Sequence, residues 1–158
     1  MTTITQRTTV TVFDFATGAR SVALLLLRIS LALPFYFSGL TKWDGFLRLS
    51  DNAIYLFTKE FKLHLFGRMI DFPFPAASAL ASAISEIVVP VLLVLGLGTR
   101  FAAFAALGMT AVIQLVVPDG WVNYHLPWAA MALSILLFGP GGLSLDALIR
   151  RAVAKSQE

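Results

Sequence analysis

Arg28 and Glu86 are the side chains of this sequence best placed to do chemistry, because each interrupts a long apolar run. Arg28 falls within Ser21 to Leu40 and Glu86 within Ala76 to Leu97. A lone Arg or Glu at the centre of a bilayer costs about 3 kcal/mol on insertion scales, so such residues turn to the bundle interior, where they pair or line a site. Counted along helices from the aromatic ends of their runs, they lie at about 12 and about 10 residues' depth, within the reach of an arginine. The spacing therefore predicts a direct ion pair. In the plainer reading the pair fixes helix register; in the sharper one it is a proton or ligand site.

Other polar residues share these faces. Ala32, Phe35, Gly39 and Lys42 follow Arg28 on one helical stripe, and Ala79, Ser82 and Pro90 flank Glu86 on another. Gln114 lies four residues after Thr110 in a third apolar run, and His125 opens a fourth beside Trp121, Tyr124 and Trp128. An imidazole moves protons near neutral pH. Glu86 and His125 are accordingly the candidate proton-relay residues, and Arg28, Gln114, Lys42 and Trp128 the candidate ligand-binding ones. Trp43, Trp121 and Trp128 gather at one face, as an interfacial anchor belt or as the mouth of a pocket. No metal site is expected: His64 belongs to a loop, and Met109 and Met131 read as packing. The chain has no cysteine, which removes disulfides, thiolate metal sites and dithiol relays.

The elements that must position these groups are membrane helices. With 158 residues, 58% hydrophobic and 13% charged, and a mean hydropathy of +0.80, the composition is that of an integral membrane protein. A net charge of +3 without basic runs among aromatics argues against nucleic-acid binding. Four apolar spans, at residues 21–40, 76–97, 101–117 and 122–138, predict an all-α, four-transmembrane-helix bundle forming a single domain. Spans two and three meet at the glycine-rich Gly96 to Arg100 turn and must be antiparallel neighbours. The long connection 43–75 carries Ile54, Phe57 and Phe61 at helical spacing after a Ser50 or Asp51 cap, which predicts an amphipathic element on the membrane surface. An extended segment is expected at Phe61 to Leu65. The tail from Ser144 reads as a short interfacial helix, its Arg150, Arg151 and Lys155 suited to anionic headgroups. No cleaved signal peptide is read, and the charge bias favours both termini in the cytoplasm.

Several of these segments together resemble the DoxX family. They are Leu27-Arg28-Ile29 with Phe37 to Lys42, Glu86 followed by Val94 to Arg100, and the ending Gly139-Pro140-Gly141-Gly142-Leu143-Ser144-Leu145-Asp146. The resemblance implies a four-helix protein of the bacterial inner membrane. Relatives so implied include the small membrane subunit of a thiosulfate:quinone oxidoreductase, membrane partners of thiol and superoxide stress enzymes, and proteins encoded beside machinery for metal-binding modified peptides. Two readings follow. In one, the bundle is a redox or stress-response accessory subunit that holds a quinone among aromatics, with Arg28 or His125 on a carbonyl and Glu86 or His125 relaying the proton, and with a protein partner handling electrons. In the other it is a non-enzymatic scaffold that docks a partner through the long loop. A small transporter, assembled as a homo-oligomer, is the third.

Overall fold

The computed structural model describes residues 2–157, with side chains from residue 16 onward. Helix α1 (Thr2–Leu40) begins far upstream of the apolar run. Ser50 then caps α2 (Asp51–Tyr55) by accepting a hydrogen bond from the Ala53 amide, and a π-helical turn (Leu56–Glu60) continues it. An antiparallel hairpin follows, β1 (Lys62–Leu65) against β2 (Arg68–Asp71), in the register Lys62 to Asp71. Helix α3 (Pro75–Leu95) starts on a proline, which is preset for a first helical turn. It stops at Gly96, whose φ of +68° gives the left-handed residue that closes a helix, with its amide bonded to Leu92 O. Helix α4 (Thr99–Val116) leaves immediately. A 3-10 turn (Pro118–Gly120) and a π-helical turn (Trp121–His125) lead into α5 (Leu126–Phe138), and Ser144 caps the final helix α6 (Leu145–Lys155).

Among the described residues four segments are long and apolar enough to cross a membrane: Ala16–Leu40, Pro75–Leu95, Thr99–Val116 and Pro118–Phe138. Helix α1 packs mainly along α3, and α4 along α5. Their shared core is built from Leu31, Phe35, Val89, Leu93 and Ile135 with the alanines at 32, 102, 103, 106 and 132, small residues that let backbones approach. Large apolar side chains such as Leu26, Phe37, Val88, Phe104 and Leu133 point outward, as lipid requires.

Depth within the bundle is set by one close approach. A Cβ added to Gly39 would lie 2.9 Å from Glu86 O, so α1 and α3 touch backbone to backbone there. Gly39 thus stands level with a residue eleven positions into α3, and the first turns of α3 run on beyond the end of α1. The connection between the helices folds back into that space, with its π-helical turn against α3 and β1 against α4. Its apolar face turns inward: Phe57 is buried and meets Phe61 and Phe72 edge to face, with ring centroids 5.2 and 5.0 Å apart. The expected Arg28–Glu86 pair does not form. Arg28 lies eleven residues, roughly 16 Å of helix, before Gly39 and belongs to the opposite end of the bundle.

Candidate functional site

At the end of the bundle nearer the long connection, here the loop face, α1 and α3 hold a compact polar group in apolar surroundings. Lys42 follows the last turn of α1 and its Nζ donates to Glu86 Oε2 at 2.5 Å, to Ser38 Oγ at 3.0 Å and to Ser38 O at 3.3 Å. Ser82, one turn before Glu86, donates to its other oxygen at 2.6 Å. The Lys42 and Glu86 side chains are only 12% and 6% exposed. Three donors on the ammonium and two acceptors on the carboxylate are thereby all engaged, which is what a pair withdrawn from water requires.

This pair forms part of the wall of a cavity of about 460 Å³ between α1, α3 and α4. Phe35 and Trp128 line it from the bundle side, and Phe57, Phe61 and Phe72 from the loop. On the wall formed by α4, Gly108 has open space where a side chain would begin. A cavity within the roughly 300–1,000 Å³ of small-molecule sites, mostly apolar with a few polar groups gathered on one wall, is the usual form of a ligand pocket.

A second polar pair stands behind Trp128. Gln114 Nε2 donates to Pro118 O at 3.0 Å, which leaves Oε1 to accept from His125 Nδ1 at 2.6 Å. The network therefore assigns the proton of a neutral imidazole to Nδ1. His125 is 3% exposed, lies 5.4 Å from the Trp128 ring centroid to centroid, and fits only because residue 120 is glycine: a Cβ there would meet the imidazole at 2.5 Å. Trp128 in turn sits 5.2 Å from Phe35. Of the six residues singled out in the sequence, Glu86, Lys42 and Trp128 border the cavity, while Gln114 and His125 form a pair separated from it by the indole.

Arg28 is held elsewhere. It is fully buried, and its Nη1 donates to Leu93 O at 3.1 Å and Val94 O at 3.3 Å, carbonyls of the last turn of α3, the first of which also accepts from the Gly96 amide at 3.2 Å. Its Nη2 donates to Leu143 O, while among the described residues its Nε has no partner. Asp146 stands close enough to act on it electrostatically. That carboxylate caps α4, accepting from the Gly98 and Thr99 amides at 2.8 and 2.9 Å and from Thr99 Oγ1 at 2.8 Å. Burial by itself would raise the Asp146 pKa, but these three donors and the nearby Arg150 hold it below the ordinary carboxylate value. Arg28 and Asp146 together tie the α3–α4 turn to α1 and α6.

The roles of Ser82, Phe57 and Asp146 were missed in the sequence. Ser82 was visible only as a neighbour of Glu86 on one helix face, and Asp146 only as part of a family-like ending. Among the described residues no group of three metal-ligating side chains comes together.

The profile of the DoxX family matches residues 23–119. A protein of Haemophilus influenzae described as uncharacterized is 32% identical over 144 residues, covering 82% of this chain and 85% of its own. No solved structure matches the chain.

Proposed function

Because the chain belongs to the DoxX family of membrane proteins, we propose that it is an accessory subunit of the bacterial inner membrane, both termini cytoplasmic, whose loop-face cavity binds a quinone for a redox or stress-response partner. The observation that carries this reading is the cavity itself: about 460 Å³ of aromatic and aliphatic wall with one Lys42–Glu86 pair in it. A quinone head is a flat apolar ring with two carbonyl acceptors, and it suits stacking on Phe35, Phe57 or Trp128 with Lys42 on one carbonyl. Bound there, it would supply two-electron, two-proton exchange.

The protein's own part is binding and proton handling. Lys42 exchanges its contact with Ser38 O for the ligand carbonyl, and Ser82 keeps Glu86 oriented. Glu86 gives or takes a proton through a carboxylate oxygen beside the cavity. His125 and Gln114 hold Trp128 in place from behind. Electrons pass to or from a redox centre of the protein partner.

The test is titration of a short-chain quinone into the protein in nanodiscs, read by tryptophan fluorescence. Saturable quenching above that of nanodiscs without a binding cavity is expected, and Gly108→Leu, which fills the cavity and removes no polar group, should abolish it. Equal quenching in wild type and Gly108→Leu would overturn the reading.

A second reading, a scaffold that docks a protein partner through the loop, has its own support. Phe46, Phe66 and Phe74 are 94%, 103% and 83% exposed on this one connection. Crosslinking from Phe66 in intact cells to one defined partner, together with no quinone binding, would favour it.

A further inference from the structure

The opposite end of the bundle holds a second cavity, of about 510 Å³, that the proposed quinone chemistry does not use. Among the described residues its charged lining is entirely basic: Arg20 from α1, Arg100 from α4, and Arg150 and Arg151 from α6. The glycine-rich loop between α5 and α6 runs through it. A Cβ at Gly139 would lie 3.7 Å from Arg100 Nε, and one at Gly142 would lie 3.8 Å from Arg151 Nη2, so backbone without side chains separates the guanidinium groups.

None of these arginines forms an ion pair among the described residues, where the pairs are Lys42–Glu86 and Lys62–Asp71. Asp146, whose carboxylate Arg150 acts on electrostatically, has its oxygens bonded to the start of α4. Arg20 donates to Phe138 O at 3.3 Å and Arg100 to Leu137 O at 3.4 Å. Each guanidinium carries five donors, so most of this hydrogen-bonding capacity is left over. Four guanidinium groups lining one cavity, with no carboxylate among its described lining residues, suit the charge and hydrogen-bonding of a phosphate.

Position narrows the source of that phosphate. The cavity lies where α1, α4 and α5 end their apolar spans, and Phe138, one of its walls, is 60% exposed beside Leu137 at 61%. A ligand that fills the cavity with its phosphate would lay apolar tails on those side chains. We propose that this cavity is a binding site for the phosphate of an anionic phospholipid, which clamps α6 to the α1–α4–α5 end of the bundle.

The full-length protein is purified in mild detergent, and matched mixtures of phosphatidylglycerol and phosphatidylcholine with identical acyl chains are added. Native mass spectrometry counts the lipids retained. Wild type is expected to keep phosphatidylglycerol over phosphatidylcholine by about tenfold, and Arg150→Gln/Arg151→Gln, on the outermost helix, to lose that preference. The loop-face control Arg48→Gln/Lys59→Gln should keep it. Equal retention of the two lipids by wild type would overturn the proposal, as would an undiminished preference in the α6 double variant. Displacement of phosphatidylglycerol by millimolar inorganic phosphate would assign the site to a free oxyanion and overturn the lipid. Should the double variant not fold, wild type still decides: selectivity must fall as salt is raised, and salt-independent retention would overturn the proposal.

Discussion

Lys42 and Glu86 cost most when only one of them remains. Lys42→Met leaves a buried carboxylate with Ser82 alone and should lower stability by about 3 kcal/mol, while Lys42→Met/Glu86→Leu should recover most of the loss. Thermal unfolding of the solubilised protein measures both. Asp146 gives a prediction with a pH signature. Its carboxyl sits below its ordinary value of 3.8 in the folded state, so its stabilising contribution is complete above that range and is lost as pH falls through the lower, folded value. Asp146→Ala should therefore cost about 1–2 kcal/mol at neutral pH. The gap from wild type should close only below about pH 4. That Arg28 and Glu86 were special was legible from hydropathy alone. Their partners were not, because helical periodicity tells which face a residue occupies and leaves its depth open.

At the scale of elements, depth depends on how far α1 reaches along α3, and the contact at Gly39 decides it. Gly39→Ala forces a methyl against the Glu86 carbonyl and should cost about 1–3 kcal/mol, as overpacking does. Gly108→Ala, the same exchange in open space, should be neutral or stabilising because alanine is the better helix former. Unfolding of the two variants side by side separates helix propensity from close approach. The four membrane spans and the alternating Lys62 to Leu65 stretch were readable from pattern, and a cap at Ser50 or Asp51 from residue type, while the extension of α1 back to Thr2 was not. What pattern left open was which way the apolar side of residues 54–61 would face. An amphipathic segment has the same signature whether it faces lipid or protein, and here the space beyond the end of α1 draws Phe57 and Phe61 inward.

For the whole molecule, the arrangement separates two kinds of chemistry along one bundle: an ion pair in an aromatic cavity at the loop face, and a cavity lined by guanidinium groups at the other. The absence of cysteine makes the proposed orientation directly measurable. With both termini cytoplasmic, Phe66→Cys should react with a membrane-impermeant maleimide from outside the intact inner membrane, and Lys155→Cys only after the membrane is opened. The reverse pattern would invert the molecule. Sequence charge counts carried little of this, since basic residues are spread over both faces.

The aromatic wall contributed by the connection between α1 and α3 has a kinetic consequence. Phe57, Phe61 and Phe72 are fastened to the bundle through the Ser50 amide, which donates to Lys42 O at 2.8 Å, and through His64, which donates to Leu115 O at 3.0 Å. An occupant whose path lies past that wall enters and leaves no faster than the segment opens, on the microsecond to millisecond scale of loop motions. Its exchange rate should then level off as ligand is added, and removing the His64 latch should raise the plateau while leaving the resting occupancy nearly unchanged.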